Sequence, residues 1–180
     1  SCIISALLTH LELCPCRRHA TFCDIGSGAG RLVLWAACTQ RWRRVLGIEL
    51  LPSLHAIAQE KLDAARGLQE LELRTPHVSV AEGSWESATA LPWSDIDVAF
   101  AYTTAFPHDR GVLRALTNAL EPRLRRGCVV CTTDYRLAPS SFELLDEMEG
   151  ENDGVGGVSV AYIHRKITDG DARTQGDLLK

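Results

Sequence analysis

The stretch FCDIGSGAGRL, Phe22 to Leu32, constrains the chain most: an apolar run ends in an acid, three glycines follow on alternate positions, and a helical pattern begins at once. Where a buried strand gives way to a helix, glycines let the backbone turn tightly and approach a ligand, and the helix presents its positive end. A nucleotide-like ligand is implied. The dinucleotide fingerprint G-x-G-x-x-G needs a glycine where Arg31 stands, and no Gly-Lys-Ser/Thr follows to make a P-loop. A cofactor without a pyrophosphate therefore fits Gly26, Gly28 and Gly30 better, although a simple tight turn uses the same residue type.

Downstream, short β-branched runs alternate with helical ones. The spacing predicts strands over Thr21 to Ile25, Val45 to Glu49, His77 to Ala81, Ile96 to Tyr102 and Gly127 to Thr133. Helices are expected over Ile3 to Leu13, Gly30 to Thr39, Pro52 to Leu68 and Val112 to Leu124, with Pro52 suited to a first helical turn. Strands separated by helices imply a parallel sheet covered on both faces. After the fifth strand, Phe142 to Gly150 and Gly157 to Lys166 flank the turn-forming ENDGVG and read as an antiparallel hairpin, with a short helix over Phe142 to Met148 as the other reading. The expectation is an α/β domain over residues 1–168 and a polar tail over 169–180.

With 180 residues, 46% of them hydrophobic, the chain is long enough for one sizeable core. No apolar run approaches the roughly eighteen residues that span a bilayer, and no signal peptide is evident, so a soluble intracellular protein of nucleus or cytoplasm is expected. Its seven cysteines are scattered without zinc-knuckle spacing. Cys128 and Cys131 form a C-x-x-C, but on a strand they point to opposite faces, so no metal site is predicted. The net charge is −4, and the arginines cluster in CRRH, RWRR and RLRR, each leading into a predicted strand. Two of these clusters close helices, where cations complement the dipole, so a structural role is expected rather than a nucleic-acid patch.

The pattern from Asp24 through Gly30, followed by an acid closing the second strand in GIE, resembles the first motifs of class I S-adenosylmethionine-dependent methyltransferases. The resemblance implies a Rossmann-like fold, a mostly parallel seven-stranded sheet ending in an antiparallel hairpin, and S-adenosyl-L-methionine as cofactor. It also implies that Asp24, Gly26, Ser27, Gly28 and Gly30 face the cofactor and that Glu49 takes both ribose hydroxyls. A carboxylate suits that task because it accepts two hydrogen bonds from a vicinal diol. Read together, FCDIGSGAGRLVL, GIE, EGSW, FAYTTAF and VSVAYIH are similar to segments of the non-SET histone lysine methyltransferases, the disruptor-of-telomeric-silencing family, over about Thr21 to Arg165. By that resemblance Ser84 and Trp85 border the adenine, Tyr102 and Thr103 lie beside the transferred methyl group, and Tyr162 lines a channel for a protein lysine, as in a histone, walled also by Phe106 and Tyr135.

The sequence departs from the family in three places. Ser84 replaces an acid, the FAYTTAF strip lacks the family's asparagine, and the tail after Asp169 is not basic. Starting at Ser1, with about twenty residues before the first strand, the chain is either a fragment lacking an upstream lid or an enzyme for another substrate. The reading from a different class is a non-catalytic cofactor-binding or interaction module. Direct contact with nucleic acid is left open by the charge pattern.

Overall fold

The computed structural model describes residues 20–39, 42–67, 75, 77–86, 89, 91–151 and 157–169. The expected helix over Ile3 to Leu13, the first basic cluster, most of ENDGVG and the polar tail lie outside them. Seven strands form one sheet: β1 (Thr21–Ile25), β2 (Arg44–Glu49), β3 (Val78–Glu82), β4 (Val98–Ala101), β5 (Val129–Thr133), β6 (Phe142–Glu151) and β7 (Val158–Lys166). Their order is β3-β2-β1-β4-β5-β7-β6. The first five are parallel, whereas β7 runs antiparallel to both β5 and β6. This is the Rossmann-like methyltransferase arrangement the resemblance implied.

Strand alternation sorts the core into two layers. Phe22, Val45, Val80, Val98, Phe100 and Cys131 point to one face, where α1 (Arg31–Thr39) and α2 (Pro52–Gly67) cover them with Val33, Ala36, Ala58 and Leu62. Cys23, Ile25, Ile48, Ala99, Ala101, Cys128 and Val130 point to the other, under α3 (Arg114–Leu120), with Leu116, Leu120, Leu124 and Trp93. Cys128 and Cys131 thus part to opposite layers, and burial pushes both thiols up to about 12. They stay protonated and inert.

Several boundaries differ from expectation. β4 begins at Val98 because Ile96 caps a 3-10 turn over Trp93–Asp95, and it stops before Tyr102. α3 keeps only the middle of Val112 to Leu124, since Val112 is drawn into bridges with Asp109 and Arg136. β3 runs one residue further, to Glu82, because it pairs there with Glu49. Phe142 to Met148 is strand and not helix: its residues pair along β7 except Leu145, which falls at an irregularity between Leu144 and Asp146. Among the described residues no helix is long and apolar enough to cross a membrane.

The arginines at the amino-terminal edge of the sheet are held by acids. Asp95 pairs with Arg43 and Arg44, and Asp97 pairs with Arg125 while accepting the Thr21 amide at 2.7 Å. Their charge is spent on tying strand starts together. Ligands of such sheets bind at the opposite edge, beyond the carboxyl ends, where the strand order reverses between β1 and β4.

Candidate cofactor and acceptor site

At that edge the glycine loop leaves β1 with Gly26, Gly28 and Gly30 at φ +76°, +54° and +74°. Side chains rarely adopt this conformation. The amides do not reach for a ligand as the sequence suggests: Gly26 and Ser27 both donate to the Ile48 carbonyl at 2.9 Å, and Gly30 donates to Ser27. Gly28 donates to Glu49 Oε2 at 2.7 Å. A loop with these amides committed has none of them left to cradle a phosphate, which agrees with a cofactor lacking one. What it offers is bare backbone, since nothing stands within 4 Å of a Cβ built on Gly28.

Glu49, at the end of β2, is buried, with 6% of its surface exposed. Its Oε1 accepts the Leu51 amide at 2.9 Å and its Oε2 the Gly28 amide, so the carboxylate joins the glycine loop to the start of α2. Each oxygen has a further lone pair to give a vicinal diol. Asp24 is also buried. Burial first, and then the Glu49 carboxylate, raise its pKa to about 7. Such a group is poised to take up a cationic ligand by giving up its proton.

A cleft of about 680 Å³ opens beside this loop, lined by Asp24, Gly26, Ser27, Leu32, Phe100 and Tyr102 among others. It joins four of the expected residues. Ser27 enters it only in part, because its hydroxyl is buried without a partner and packs where a Cβ on Gly47 would stand, 2.9 Å away. Gly47 is a residue the sequence reading passed over. Only a glycine lets the loop cross β2 so closely, and the quoted GIE carried that signal.

On the adenine side of the expected site, Ser84 Oγ accepts the Glu86 amide at 3.1 Å. Trp85 stacks on Phe106 with ring centroids 5.8 Å apart and planes 12° from parallel. Phe106, expected as a wall of the acceptor channel, lies 3.3 Å from where a Gly26 Cβ would be. It therefore bridges the glycine loop and Trp85.

Beyond β4, Tyr102 is exposed, whereas Thr103 is buried and bonds through both its amide and hydroxyl to Thr133. The Thr103 hydroxyl is thus turned to β5 and not to the cleft. Thr104 donates to Asp134 Oδ2 at 2.6 Å, and Asp134, at φ +66°, also accepts the Val160 amide. An acid closing β5 was visible in TTDYR, but its bond to the strip after β4 was not. Tyr135 stacks on His108 with 3.7 Å between centroids. Tyr162, opposite Thr132 on β7, lies under the Arg136 guanidinium at 4.7 Å, and Arg136 is paired with Glu147 at 2.8 Å. It is not among the residues lining the cleft.

Among the described residues no group of three or more His, Cys, Asp or Glu could hold a metal ion. Of solved structures, an RNA methyltransferase from Salinibacter ruber in complex with S-adenosyl-L-homocysteine is 20% identical, covers 98% of this chain and 97% of its own, and has a TM-score of 0.55. A putative methylase from Haemophilus influenzae is 15% identical over 91% of this chain and 88% of its own, with a TM-score of 0.63. The YcgJ protein of Bacillus subtilis is 11% identical over 91% and 99%, with a TM-score of 0.61. At these identities the likeness is one of fold. No curated protein matches the chain by sequence. The family described as histone methylation protein DOT1 matches residues 2–148, most of the chain and all of the glycine loop, Glu49 and the strip after β4. On that match, and with the fold to go with it, the chain belongs to the DOT1 family of histone methylation proteins.

Proposed function

We propose that this chain is an S-adenosylmethionine-dependent methyltransferase acting on a lysine side chain of a protein, a histone in the first instance. The observation that carries it is the buried Glu49 carboxylate, fixed by two amides at the end of β2 with lone pairs to spare, in a chain of the DOT1 family. When bound, S-adenosylmethionine supplies a methyl group that its sulfonium opens to in-line attack by an amine. Glu49 would take its ribose hydroxyls, Asp24 its ammonium, and Trp85 the face of its adenine.

The remaining task of the protein is to deliver a neutral amine, because lysine has an unperturbed pKa near 10.4 and arrives mostly protonated. Apolar and aromatic walls disfavour the ammonium. In this proposal Tyr102 and Tyr162 border the acceptor, Arg136 holds the Tyr162 ring from one side, and Thr103, bonded to Thr133, fixes the strip that carries Tyr102. The proton leaves to solvent.

Radiolabelled methyl transfer to a panel of proteins and nucleosomes, with mass spectrometry of the products, tests the reading. Methyl groups are expected on lysine side chains. Methylation confined to RNA, a small molecule or arginine overturns the acceptor, and firm cofactor binding without turnover on any acceptor favours the non-catalytic module. Tyr162→Ala is expected to leave S-adenosylmethionine affinity within about twofold while lowering kcat roughly tenfold or more, as befits a side chain acting on the acceptor. An equal loss in cofactor affinity would remove Tyr162 from that role. Arg43→Gln with Arg44→Gln is expected to leave cofactor affinity unchanged, because both side chains answer Asp95 at the far edge of the sheet. Calorimetry reads both results.

A further inference from the structure

The RLRR cluster contains one arginine that does something its neighbours do not. Arg125 pairs with Asp97 at the strand starts. Arg123 instead reaches the loop after β3, where Nη1 donates to the Trp85 carbonyl and Nη2 to the Glu86 carbonyl. Its guanidinium also lies 5.7 Å from the centre of the Trp93 ring, a cation–π contact that supports its plane from one side. Two consecutive carbonyls turned to one planar fork fix two peptide planes at once, those on either side of Glu86, and the first of them is the peptide by which Trp85 is joined to Glu86. The Ser84 hydroxyl holds the same turn by accepting the Glu86 amide. From Trp85 the contacts continue through the stacked Phe106 ring to Gly26.

We infer that Arg123 is a positioning residue for the adenine end of the cofactor site, setting the plane of Trp85 against the base without touching the ligand itself. The inference rests on the cofactor proposed above. A rigidly held indole is ready to stack before the ligand arrives, whereas a loose one must be ordered at the moment of binding, and that ordering subtracts from affinity. A lysine at this position cannot replace the fork, since its ammonium is a point charge that meets one carbonyl well and the other poorly. The effect is confined to the base, because Glu49 and Asp24 hold the rest of the ligand from other elements.

The test compares two ligands that differ only in the base, S-adenosylhomocysteine and S-ribosylhomocysteine, by calorimetry on the unaltered protein and on Arg123→Ala, Arg123→Lys and Trp85→Ala. Arg123→Ala is expected to weaken the adenosyl ligand about tenfold, in the range of a charged hydrogen bond lost, and to leave the ribosyl ligand within about twofold. Trp85→Ala should split the ligands in the same direction. Arg123→Lys, which keeps the charge and folds if the alanine variant does not, should show part of the same split. Amide hydrogen exchange at Gly83 to Glu86 in the ligand-free protein should rise in both Arg123 variants. A split with Trp85→Ala and none with either Arg123 variant overturns the inference while leaving the cofactor reading in place. Equal losses for the two ligands in the Arg123 variants also overturn it, as they mark a general loss of structure. No split with Trp85→Ala removes the adenine from this loop and the inference with it, and absence of any adenosyl-ligand binding to the unaltered protein strikes the proposed function.

Discussion

Glu49→Ala is expected to weaken S-adenosylmethionine binding by about a hundredfold or more, measured by calorimetry. A buried donor left without an acceptor costs about 1–3 kcal/mol, and about 1.4 kcal/mol is tenfold in affinity. Here the loss falls in three places. The ribose hydroxyls lose their partner, the Gly28 amide loses its 2.7 Å bond and the Leu51 amide its 2.9 Å bond, so the loop itself is released. Glu49→Gln keeps one acceptor oxygen and should lose less. Unchanged binding in Glu49→Ala would refute the ribose assignment, and tighter binding of a nicotinamide dinucleotide than of S-adenosylmethionine would refute the cofactor.

Asp24→Asn is expected to raise thermal stability at pH 8 while weakening cofactor binding. The ordinary value of this carboxyl is 3.8 and its value in the folded protein about 7, raised by burial and by Glu49. A group raised on folding stabilises the fold fully below its unfolded value and loses that contribution as pH climbs through its folded value. Between pH 4 and pH 8 the loss from Asp24 is at most about 4 kcal/mol, large for a domain of this size. An amide has nothing to ionise, so the variant's melting temperature should change less over that interval. With the cofactor the sign reverses: a cation beside Asp24 favours the carboxylate, so affinity should rise with pH through about 7 and binding should release a proton. Calorimetry in two buffers of different ionisation enthalpy detects that proton. Equal heats in both buffers at pH 6, where the carboxyl of the empty site is still mostly protonated, would show that binding takes no proton from Asp24, and a variant no more stable than the parent at pH 8 would show that folding does not raise its pKa.

The two results would meet at one pair of residues. Because the Glu49 charge contributes to raising Asp24, removing that charge should lower the pH at which Asp24 titrates. Cofactor capture, on this account, is where two buried acids that repel each other both acquire positive or hydrogen-bonding partners.

The order of elements and the place of the site were legible because they depend on local chemistry. Short runs such as TFCDI, buried on both faces, suit the interior of a parallel sheet, Pro52 starts a helix, and a glycine loop between strand and helix is a turn that few ligands require. Strand alternation also sent Cys128 and Cys131 to separate layers, as expected. Boundaries were less legible. Val112 carries helical spacing, yet hydrogen bonding to segments around Asp109 and Arg136 takes it out of α3. Likewise, FELLDEMEG satisfies either a helix or a strand until β7 offers it a ladder of partners.

Sequence by itself therefore determined the five parallel strands, the closing hairpin and the acids and glycines that meet at the carboxyl ends, because residue type and spacing decide which backbone conformations are open to each segment. Tertiary structure alone decided how those residues are employed. Gly47 matters because Ser27 and Val33 crowd it, Thr103 turns from the cleft because Thr133 lies beside it, and Arg123 leaves its cluster because two carbonyls 37 and 38 residues away face it. Each of these is a contact between segments distant in the chain, and a hydrogen bond or a close approach depends on the relative position of both partners, which no stretch of sequence carries alone.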